Sequence, residues 1–422
     1  MLNKNKQREL CYICKIDKIE PIAGSDNCEC AEVGGWRIMV HKGEFKEGDP
    51  AIYFEIDSLL DSTNPAFAFM DKKHYKVKTQ RYTFGGKGLF ISQGLLMSPK
   101  DFGWAGYRST KDLNPKTTDV DSVAVKDDKG KVHYENDESR FLTKQLNITY
   151  AVASDNKRKA ASADKYKLMA MRHPKLGKKW WWRKLYKSNF GKKILFVFFG
   201  RRRDKKSEWP SWVRKTDEER VECCLEVLQD KSSWIATEKL DGSSTSATAY
   251  RRKFGKWDYY ICSRNVVFNK SNKPCFYDTN IYVMMSEKYH FKEALIDICK
   301  KYNLKWATLQ GETFGGSNPL IQKNTYDMKE CDFRGFNLVF SDRGRLNSVD
   351  SAKIMKEYGI KWVPILNENY ILPDTLDELR AYVHSKPSVI NGKIKEGIVF
   401  RSKDGTRSFK CVDPEYLLKF HQ

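Results

Sequence analysis

The sequence predicts a two-domain α+β protein, in which a small N-terminal β-barrel precedes a domain of two antiparallel sheets with flanking helices. Three observations favour this fold class. The chain has 422 residues, more than one hydrophobic core usually supports. Short strand patterns with tight connections fill residues 10–100, and mixed helical and strand patterns fill residues 208–422. We therefore predict a first domain at 1–150, a spacer at 151–207 and a second domain at 208–422.

The first domain is predicted from short apolar runs that are separated by chain breakers. The breakers are Gly34-Gly35, Gly85-Gly86 and residues 46–49. A further hairpin is predicted around Asp128-Lys129-Gly130. The predicted strands are 10–19, 30–33, 36–40, 51–56, 75–78 and 88–91.

The second domain combines helical and strand periodicities. Apolar residues at helical spacing predict a helix at 216–229, with Thr216 as its N-cap, and further helices at 287–302 and 348–358. The remaining patterns fit two antiparallel sheets. Its predicted strands are 234–239, 244–251, 257–262, 307–312, 333–340, 397–401 and 407–410.

The charge balance indicates a polyanionic partner. Lysine and arginine total 76 against 54 aspartates and glutamates, a formal net charge of +22. Such an excess favours nucleic acid through phosphate contacts and counterion release. Charge alone does not separate this partner from an evenly spread solubility charge or from an anionic membrane surface.

The compartment is predicted from the N-terminus and the apolar runs. No apolar stretch follows residues 1–6, so no secretory signal is expected. The longest strongly apolar run, residues 194–199, is far too short to span a bilayer. We therefore expect an intracellular, reducing location without membrane association, in which the 11 cysteines are free thiols.

One group of cysteines loosely resembles a four-thiolate zinc site, because a CxxC pair precedes a CxC pair. The first pair lies in a predicted strand, where residues three apart point to opposite faces. Buried core thiols are therefore the preferred interpretation. The four residues are Cys11, Cys14, Cys28 and Cys30.

Residues 154–207 form a basic spacer in which Lys and Arg alternate with aromatics, as in Trp180-Trp181-Trp182-Arg183-Lys184. Two interpretations are equally favoured. The segment is either a surface that contacts a nucleic-acid backbone and stacks on bases, or a partly ordered linker whose tryptophans dock on the neighbouring domain.

The main chemical signal is Glu238-Lys239-Leu240-Asp241-Gly242, where a lysine at the end of a strand precedes an acid and a glycine turn. A lysine amine attacks an α-phosphate only when it is deprotonated, so we expect the site to depress its reference pKa of about 10.4. Asp241 would hold a metal-bound water, and Gly242 would let the chain turn beside a nucleotide. Alone the segment is a weak signal, since a strand ending in a surface turn explains it too.

Six segments in order resemble the motifs of the covalent nucleotidyltransferase superfamily, which comprises DNA ligases, RNA ligases and mRNA capping enzymes. Each segment alone has an ordinary explanation, such as a surface acid or a core aromatic, but the ordered set makes coincidence improbable. The segments are Lys239-Leu240-Asp241-Gly242, Ser263-Arg264-Asn265, Leu309-Gln310-Gly311-Glu312, Phe333-Arg334-Gly335-Phe336, Lys395-Glu396-Gly397-Ile398-Val399 and Ser408-Phe409-Lys410.

The resemblance implies a role for each matching residue. Lys239 would accept AMP, Asp241 and Glu396 would hold a metal or its water, and Lys410 would contact the α-phosphate. The resemblance also implies that Glu312 contacts the ribose and that Phe336 stacks on the purine. The implied catalytic residues are thus Lys239, Asp241, Glu396 and Lys410, and the implied nucleotide-binding residues are Glu238, Lys239, Arg264, Glu312, Phe336 and Lys410.

The sequence departs from the superfamily pattern after Lys410. Many members carry a second lysine two residues later, where this chain has Val412. Lys419 is a candidate substitute. The departure concerns how the triphosphate is engaged rather than the identity of the nucleophile.

The order of the domains narrows the resemblance. The chain ends soon after Lys410, where capping enzymes and DNA ligases continue into an OB domain, and here the β-barrel comes first. That order resembles the RNA ligase 5 family, which has an N-terminal OB domain that binds nucleic acid and a C-terminal nucleotidyltransferase domain. Segments such as Tyr53-Phe54-Glu55-Ile56-Asp57-Ser58 and Ser92-Gln93-Gly94-Leu95-Leu96 also resemble that family.

The resemblance implies an ATP-dependent RNA ligase with Mg or Mn as metal. AMP would pass from Lys239 to a 5′-phosphate, and a 3′-hydroxyl would then displace it, in RNA or an RNA-containing nicked duplex bound by a monomer. Two alternatives are a GTP-dependent capping guanylyltransferase and a non-catalytic nucleic-acid-binding protein on a ligase scaffold. The sequence leaves open whether RNA or DNA forms the 5′-phosphate side of the joint.

Overall fold

The computed structural model contains two β-rich parts, one on each side of a short helical hairpin. It describes residues 1–3, 7–84, 89–103, 123–126, 132–135, 140–151, 176, 179–195, 197–198, 210, 213, 216–264, 267–268, 280–316 and 324–420. Gly85-Gly86, the predicted turn at residues 128–130, Asn265 and most of the basic spacer lie outside these ranges. No helix within them is both long and apolar enough to cross a membrane.

The N-terminal part is built from short strands. They form two three-stranded sheets, in the orders β1-β5-β9 and β2-β3-β4, and the pairs β7-β8, β10-β11 and β6-β12. Within the described ranges these sheets do not join into one continuous closed barrel. The strands are β1 Cys11–Lys15, β2 Lys18–Pro21, β3 Cys28–Val33, β4 Trp36–His41, β5 Pro50–Phe54, β6 Ser58–Leu59, β7 Thr79–Thr83, β8 Leu89–Gln93, β9 Leu95–Met97, β10 Val123–Lys126, β11 Val132–Glu135 and β12 Thr149–Tyr150.

Strands β1 and β5 are buried on both faces, which explains why they are almost wholly apolar. Cys11 packs into one apolar cluster with Phe54, whereas Cys14 packs into a second cluster with Tyr53. The two thiols of the CxxC pair therefore point in opposite directions, as the strand alternation predicts.

The strand predicted at 75–78 is wrong. Residues Pro65–Lys73 form 3₁₀ turns, and His74 and Tyr75 then adopt positive φ angles of 51° and 58°. Left-handed backbone at two consecutive residues ends any extended run. The strand starts instead at Thr79.

The C-terminal part has two sheets, as predicted. Each sheet has five strands. Sheet A has the order β13-β22-β21-β14-β20, and sheet B has the order β16-β15-β17-β18-β19. All pairs are antiparallel except β13 with β22. The strands are β13 Glu219–Arg220, β14 Ser233–Lys239, β15 Ser243–Arg251, β16 Trp257–Cys262, β17 Trp306–Gly315, β18 Cys331–Phe340, β19 Gly344–Arg345, β20 Ile365–Ile371, β21 Gly397–Ser402 and β22 Ser408–Val412.

Helices cover the outer faces of both sheets. Those on sheet B contribute Leu295, Ile298 and Met355 to its core, and the helix on sheet A contributes Leu379 and Val383. The described helices are α1 Trp180–Tyr186, α2 Asn189–Leu195, α3 Ile281–Lys288, α4 Phe291–Lys301, α5 Ser348–Glu357, α6 Leu376–Ser385 and α7 Pro414–Phe420.

Two of the predicted helices need correction. Residues 216–229 form the short strand β13 and 3₁₀ turns at Val221–Cys223 and Leu225–Gln229, because pairing of β13 with β22 overrides the helical pattern. Thr216 is no N-cap; its hydroxyl hydrogen-bonds with Ser244 at 2.9 Å. The helix predicted at 287–302 is divided into α3 and α4 by His290, whose φ is 51°.

The two β-rich parts contact each other directly. Ile56 packs with Val412 and Leu417 in one apolar cluster. The backbone N–H of Gly35 donates to the Glu222 carbonyl at 2.9 Å, and a Cβ on Gly35 would lie 2.7 Å from the Glu222 Cα. Glycine is therefore required by close approach of the two backbones at this position.

Candidate active site

Lys239 is the last residue of β14 and lies on the face of sheet A that is turned toward sheet B. Its strand neighbour is Gly397 on β21, which in turn pairs with Val412 on β22. The side chain retains 23% of its exposure, and its Nζ lies 2.6 Å from Glu396 Oε1. The side chain is thus partly exposed, and its amine is held by a carboxylate.

The pKa of the Lys239 amine is raised, which contradicts the expected depression. Burial lowers this pKa, but the attraction and hydrogen bond of Glu396 outweigh that effect, with further raising by Glu312 and Asp241. The expected depression relied on nearby cations, a metal and burial, whereas the carboxylates dominate here.

Two acids face Lys239 from other elements. Glu312 lies on β17 opposite Ser244, and burial raises its pKa to about 8, against the opposing effect of Lys239. Asp241 accepts a hydrogen bond from the Tyr416 hydroxyl at 2.8 Å, and its own N–H donates to the Tyr326 hydroxyl at 2.8 Å. Two tyrosines therefore fix the position of Asp241.

Gly242 is needed for close packing rather than for an unusual backbone angle. A Cβ at this position would lie 2.4 Å from the Thr313 carbonyl oxygen and 2.9 Å from the Phe314 Cβ. Any larger residue would displace the turn that follows Lys239.

The acids around Lys239 suit a divalent metal ion. Carboxylate oxygens are the ligands that magnesium and manganese prefer, and Glu396 and Asp241 both raise the pKa of Glu312, a repulsion that a cation would relieve. Among the described residues, no three His, Cys, Asp or Glu side chains are close enough to hold a metal ion by themselves. A cation held by Asp241 and Glu396 would therefore need water or phosphate to complete its coordination.

Lys410 lies on β22 between Val399 of β21 and Arg220 of β13. Burial lowers its pKa to about 8; Asp217 opposes this effect, whereas the charges of Arg220, Lys239 and Arg8 add to it. Cations therefore surround Lys410 on one side of the cleft.

Two cations near Lys410 were missed by the sequence analysis. Arg220 is buried, and its Nε and Nη1 have no hydrogen-bond partner in the part of the chain that the structure describes. Arg8 comes from the N-terminal part, where it pairs with Glu55 at 2.7 Å. The apolar pattern predicted a helix at 216–229, so it gave no sign that Arg220 pairs with Lys410. That pairing joins segments that are far apart in the sequence. Arg264 forms an ion pair with Asp217 on the same side.

Phe336 occupies a β-bulge. Gln310 pairs with Asn337 and Gly311 pairs with Gly335, so Phe336 is the extra residue of β18. Arg401 of sheet A lies over its ring at 5.9 Å, which places the half-buried Phe336 where the two sheets face each other. Bulges change the direction of a side chain, which accounts for this placement.

A row of buried hydrogen-bonded polar side chains follows the same face of sheet B as Glu312, and the sequence analysis did not identify it. Ser246 accepts from Gln310 Nε2 at 3.3 Å, and Gln310 Oε1 accepts from Asn337 at 3.2 Å. The hydroxyls of Thr248 and Thr308 lie 2.7 Å apart. Buried polar groups of this kind fix the floor of the cleft.

Glu238 lies on the opposite face of β14 from Lys239. Its carboxylate accepts hydrogen bonds from the Ser388 hydroxyl and, at 2.9 Å, from the Val389 N–H. The side chain therefore anchors a loop outside the cleft, and its contact with a nucleotide stays a prediction.

Val412 supplies no cation beside Lys410, although it follows two residues later on β22 and points to the same face of the strand. Val412 is buried in the apolar cluster with Ile56 and Leu417. At the position where many superfamily members have a second lysine, this chain therefore has an apolar residue that packs between the two parts of the chain. Lys419 is exposed on α7, with its ammonium 5.2 Å from the Phe420 ring centroid. The suggested role of Lys419 stays a prediction.

Solved structures with the same fold cover 98% of this chain. A model of the RNA ligase family matches residues 232–420, and an OB-fold domain model matches residues 10–98. The structure of Naegleria gruberi RNA ligase with PPi is 24% identical, covers 98% of this chain and 99% of its own, and has a TM-score of 0.66. A mutant of that ligase with ATP and Mn is 23% identical, with the same coverage and TM-score. No curated protein matches the chain.

These matches confirm the predicted fold class, an N-terminal OB fold followed by a ligase-type domain of two antiparallel sheets. The predicted domain limits at 150 and 207 stay predictions.

Proposed function

We propose that the chain is an ATP-dependent RNA ligase that forms a covalent AMP adduct on Lys239, and the match of residues 232–420 to a model of the RNA ligase family supports this. One observation carries the proposal: the Lys239 amine is reachable from a cleft that also holds Glu396, Glu312 and Lys410. An accessible lysine among acids and cations is the arrangement that nucleotidyl transfer to an amine needs.

In the first step, Lys239 Nζ attacks the α-phosphorus of ATP. A P–N bond forms, the bond between the α-phosphorus and the bridging oxygen breaks, and pyrophosphate leaves. Lys410 and Arg220, which are strand partners, would offset negative charge on the phosphates. Phe336 and the polar row around Gln310 offer surfaces for the purine and the ribose.

The carboxylates of Asp241 and Glu396 are the residues that would hold magnesium or manganese. The cation would offset phosphate charge and favour the neutral amine. Glu396 already holds the ammonium of Lys239, so this carboxylate is placed to accept a proton from the amine or to bind the cation.

In the later steps, AMP passes from Lys239 to a 5′-phosphate, and a 3′-hydroxyl of RNA displaces AMP to form the phosphodiester. The OB fold lies directly against sheet A through Ile56 and Val412, so it is positioned to hold nucleic acid beside the cleft. Nicked duplex containing RNA is the substrate that we propose.

Two assays test the proposal. The protein is incubated with magnesium and either labelled ATP or labelled GTP; we expect an AMP adduct and no GMP adduct. Formation of a GMP adduct alone would instead indicate a capping guanylyltransferase. No adduct with either nucleotide would indicate a non-catalytic binding protein.

The second assay compares matched nicked duplexes that carry ribose or deoxyribose at the 3′-hydroxyl and at the 5′-phosphate. We expect sealing to require ribose on the 3′-hydroxyl side. Equal sealing of an all-DNA nick would contradict the assignment of RNA as substrate. The comparison at the 5′-phosphate side determines which sugar that side accepts.

A further inference from the structure

The helical hairpin of α1 and α2 is a small folded unit with its own core. Trp182 and Leu195 are buried within it, and Leu185 packs against them. A Cβ on Gly191 would lie 2.0 Å from the Leu185 carbonyl oxygen, so the two helices touch where α2 begins. The Ser188 hydroxyl accepts the Gly191 N–H at 2.9 Å and thereby caps that end.

The aromatics that the core does not use remain on the surface. Trp180 and Phe190 are each 75% exposed, although each is large enough to be a core residue. Their positions at the start of α1 and α2 place them outside the packed interface of the hairpin. Large exposed aromatics on a folded helical hairpin indicate an interaction surface.

The exposed aromatics share their faces with cations. Trp180 on α1 is followed at helical spacings of three and four by Arg183 and Lys184, and at a spacing of seven by Lys187, the C-cap of the helix; all three are exposed. On α2, Phe190 is followed by Lys193 at a spacing of three. No aspartate or glutamate occurs between Asp164 and Asp204, so no carboxylate within this stretch of sequence neutralises these charges.

On α1 the arrangement favours single-stranded nucleic acid over a membrane surface, whereas Val197 and Phe198, which are 64% and 75% exposed, add apolar surface after α2. A helix that lies in a membrane interface has a broad apolar face opposite its cations. Here one aromatic stands among three cations on the same face of α1, which is the combination that stacks a base while contacting the flanking phosphates.

We propose that the exposed face of the hairpin, which we call the hairpin face, binds a single-stranded RNA segment that extends from the nicked duplex. This inference rests on the proposed ligase function for the choice of RNA. Trp180 and Phe190 would stack on bases, and the cations beside them would contact the phosphates. The hairpin face consists of Trp180, Arg183, Lys184, Lys187, Phe190 and Lys193.

The test compares RNA binding by the full chain and by the double variant Trp180→Ala/Phe190→Ala, using a labelled single-stranded RNA in fluorescence anisotropy. We expect binding to weaken about tenfold for each aromatic removed. Phe254→Ala is the matched control, because Phe254 is 98% exposed but lies in the turn between β15 and β16, far along the chain from the hairpin. The control should bind RNA like the unmodified protein.

Two results would overturn the inference. One is equal RNA affinity for the double variant and the unmodified protein, with both folded by circular dichroism. The other is that the double variant loses binding to phosphatidylserine vesicles but binds RNA as the unmodified protein does. That result would assign the hairpin face to membranes. Lysyl-AMP formation is measured on the same samples and needs no RNA. If no sample forms the adduct, the proposed function fails while the RNA comparison still decides the inference.

Discussion

Lys239 Nζ lies 2.6 Å from Glu396 Oε1, so the amine that we propose as nucleophile is held as an ammonium by a carboxylate of the same cleft. Glu396 directly precedes Gly397, the strand partner of Lys239, and the pair is therefore fixed by the register of β14 and β21. Because the ion pair raises the pKa of Lys239, removal of a proton becomes part of the reaction.

We expect lysyl-AMP formation to become faster with rising pH. Glu396 raises the pKa of Lys239, and a cation bound by Glu396 would lower it; at any pH below that pKa the neutral fraction grows about tenfold per pH unit. Single-turnover rates with saturating ATP and magnesium, measured from about pH 6 to about pH 9, would show this rise. A rate that stays flat across this range would mean that deprotonation of Lys239 does not limit the step.

Glu396→Gln should move that pH profile to lower pH. Glutamine removes the charge that raises the pKa of Lys239, so the neutral amine is reached earlier. The maximal rate should fall, because the variant also loses a proposed metal contact. Glu357→Gln is the control, since Glu357 pairs with Lys301 at 2.7 Å on the surface of sheet B's helices. An unmoved midpoint in Glu396→Gln would contradict the role of the ion pair.

Tyr416→Phe should slow adenylation by about tenfold or more, because a hydrogen bond to a charged carboxylate contributes about 1.5–3 kcal/mol. The Tyr416 hydroxyl donates to Asp241 at 2.8 Å, and its loss leaves that carboxylate less well oriented. Tyr382→Phe serves as control, because Tyr382 stacks on Tyr370 beside sheet A. Equal rates for the two variants would show that Tyr416 does not position Asp241.

Val412→Lys should destabilise the protein by at least about 2 kcal/mol, because it places a charge in an apolar contact. Val412 is buried with Ile56 and Leu417, where the OB fold meets sheet A. Denaturant unfolding measures the change, and Val389→Lys, at a side chain that is 64% exposed, is the matched control. Undiminished stability together with tighter ATP binding would show that a lysine at this position reaches the phosphates instead.

The place of Lys239 at a strand end could be predicted from local sequence, but its role as nucleophile was predicted from the ordered set of six segments. The apolar run of β14 and the glycine after Asp241 indicate the strand end, and strands β15, β17, β18 and β21 follow from their own patterns.

The contacts that define the rest of the site are not local. Arg220 meets Lys410 through a parallel strand pair that joins distant segments, and the apolar residues around Val221 fit a helix equally well. Those residues are buried, as the helical pattern predicts, but the strand pairing determines their backbone conformation. The contact of Ile56 with Val412 is equally invisible in the sequence, since it joins the two parts of the chain.

The most direct test of the central proposal is to locate AMP on the protein. After incubation with ATP and magnesium, peptide mapping by mass spectrometry should find one adenylate, on the peptide that contains Lys239. Lys239→Arg keeps the positive charge beside Glu396 and should carry none. An adenylate on another residue, or an adduct of undiminished yield in Lys239→Arg, would contradict the account.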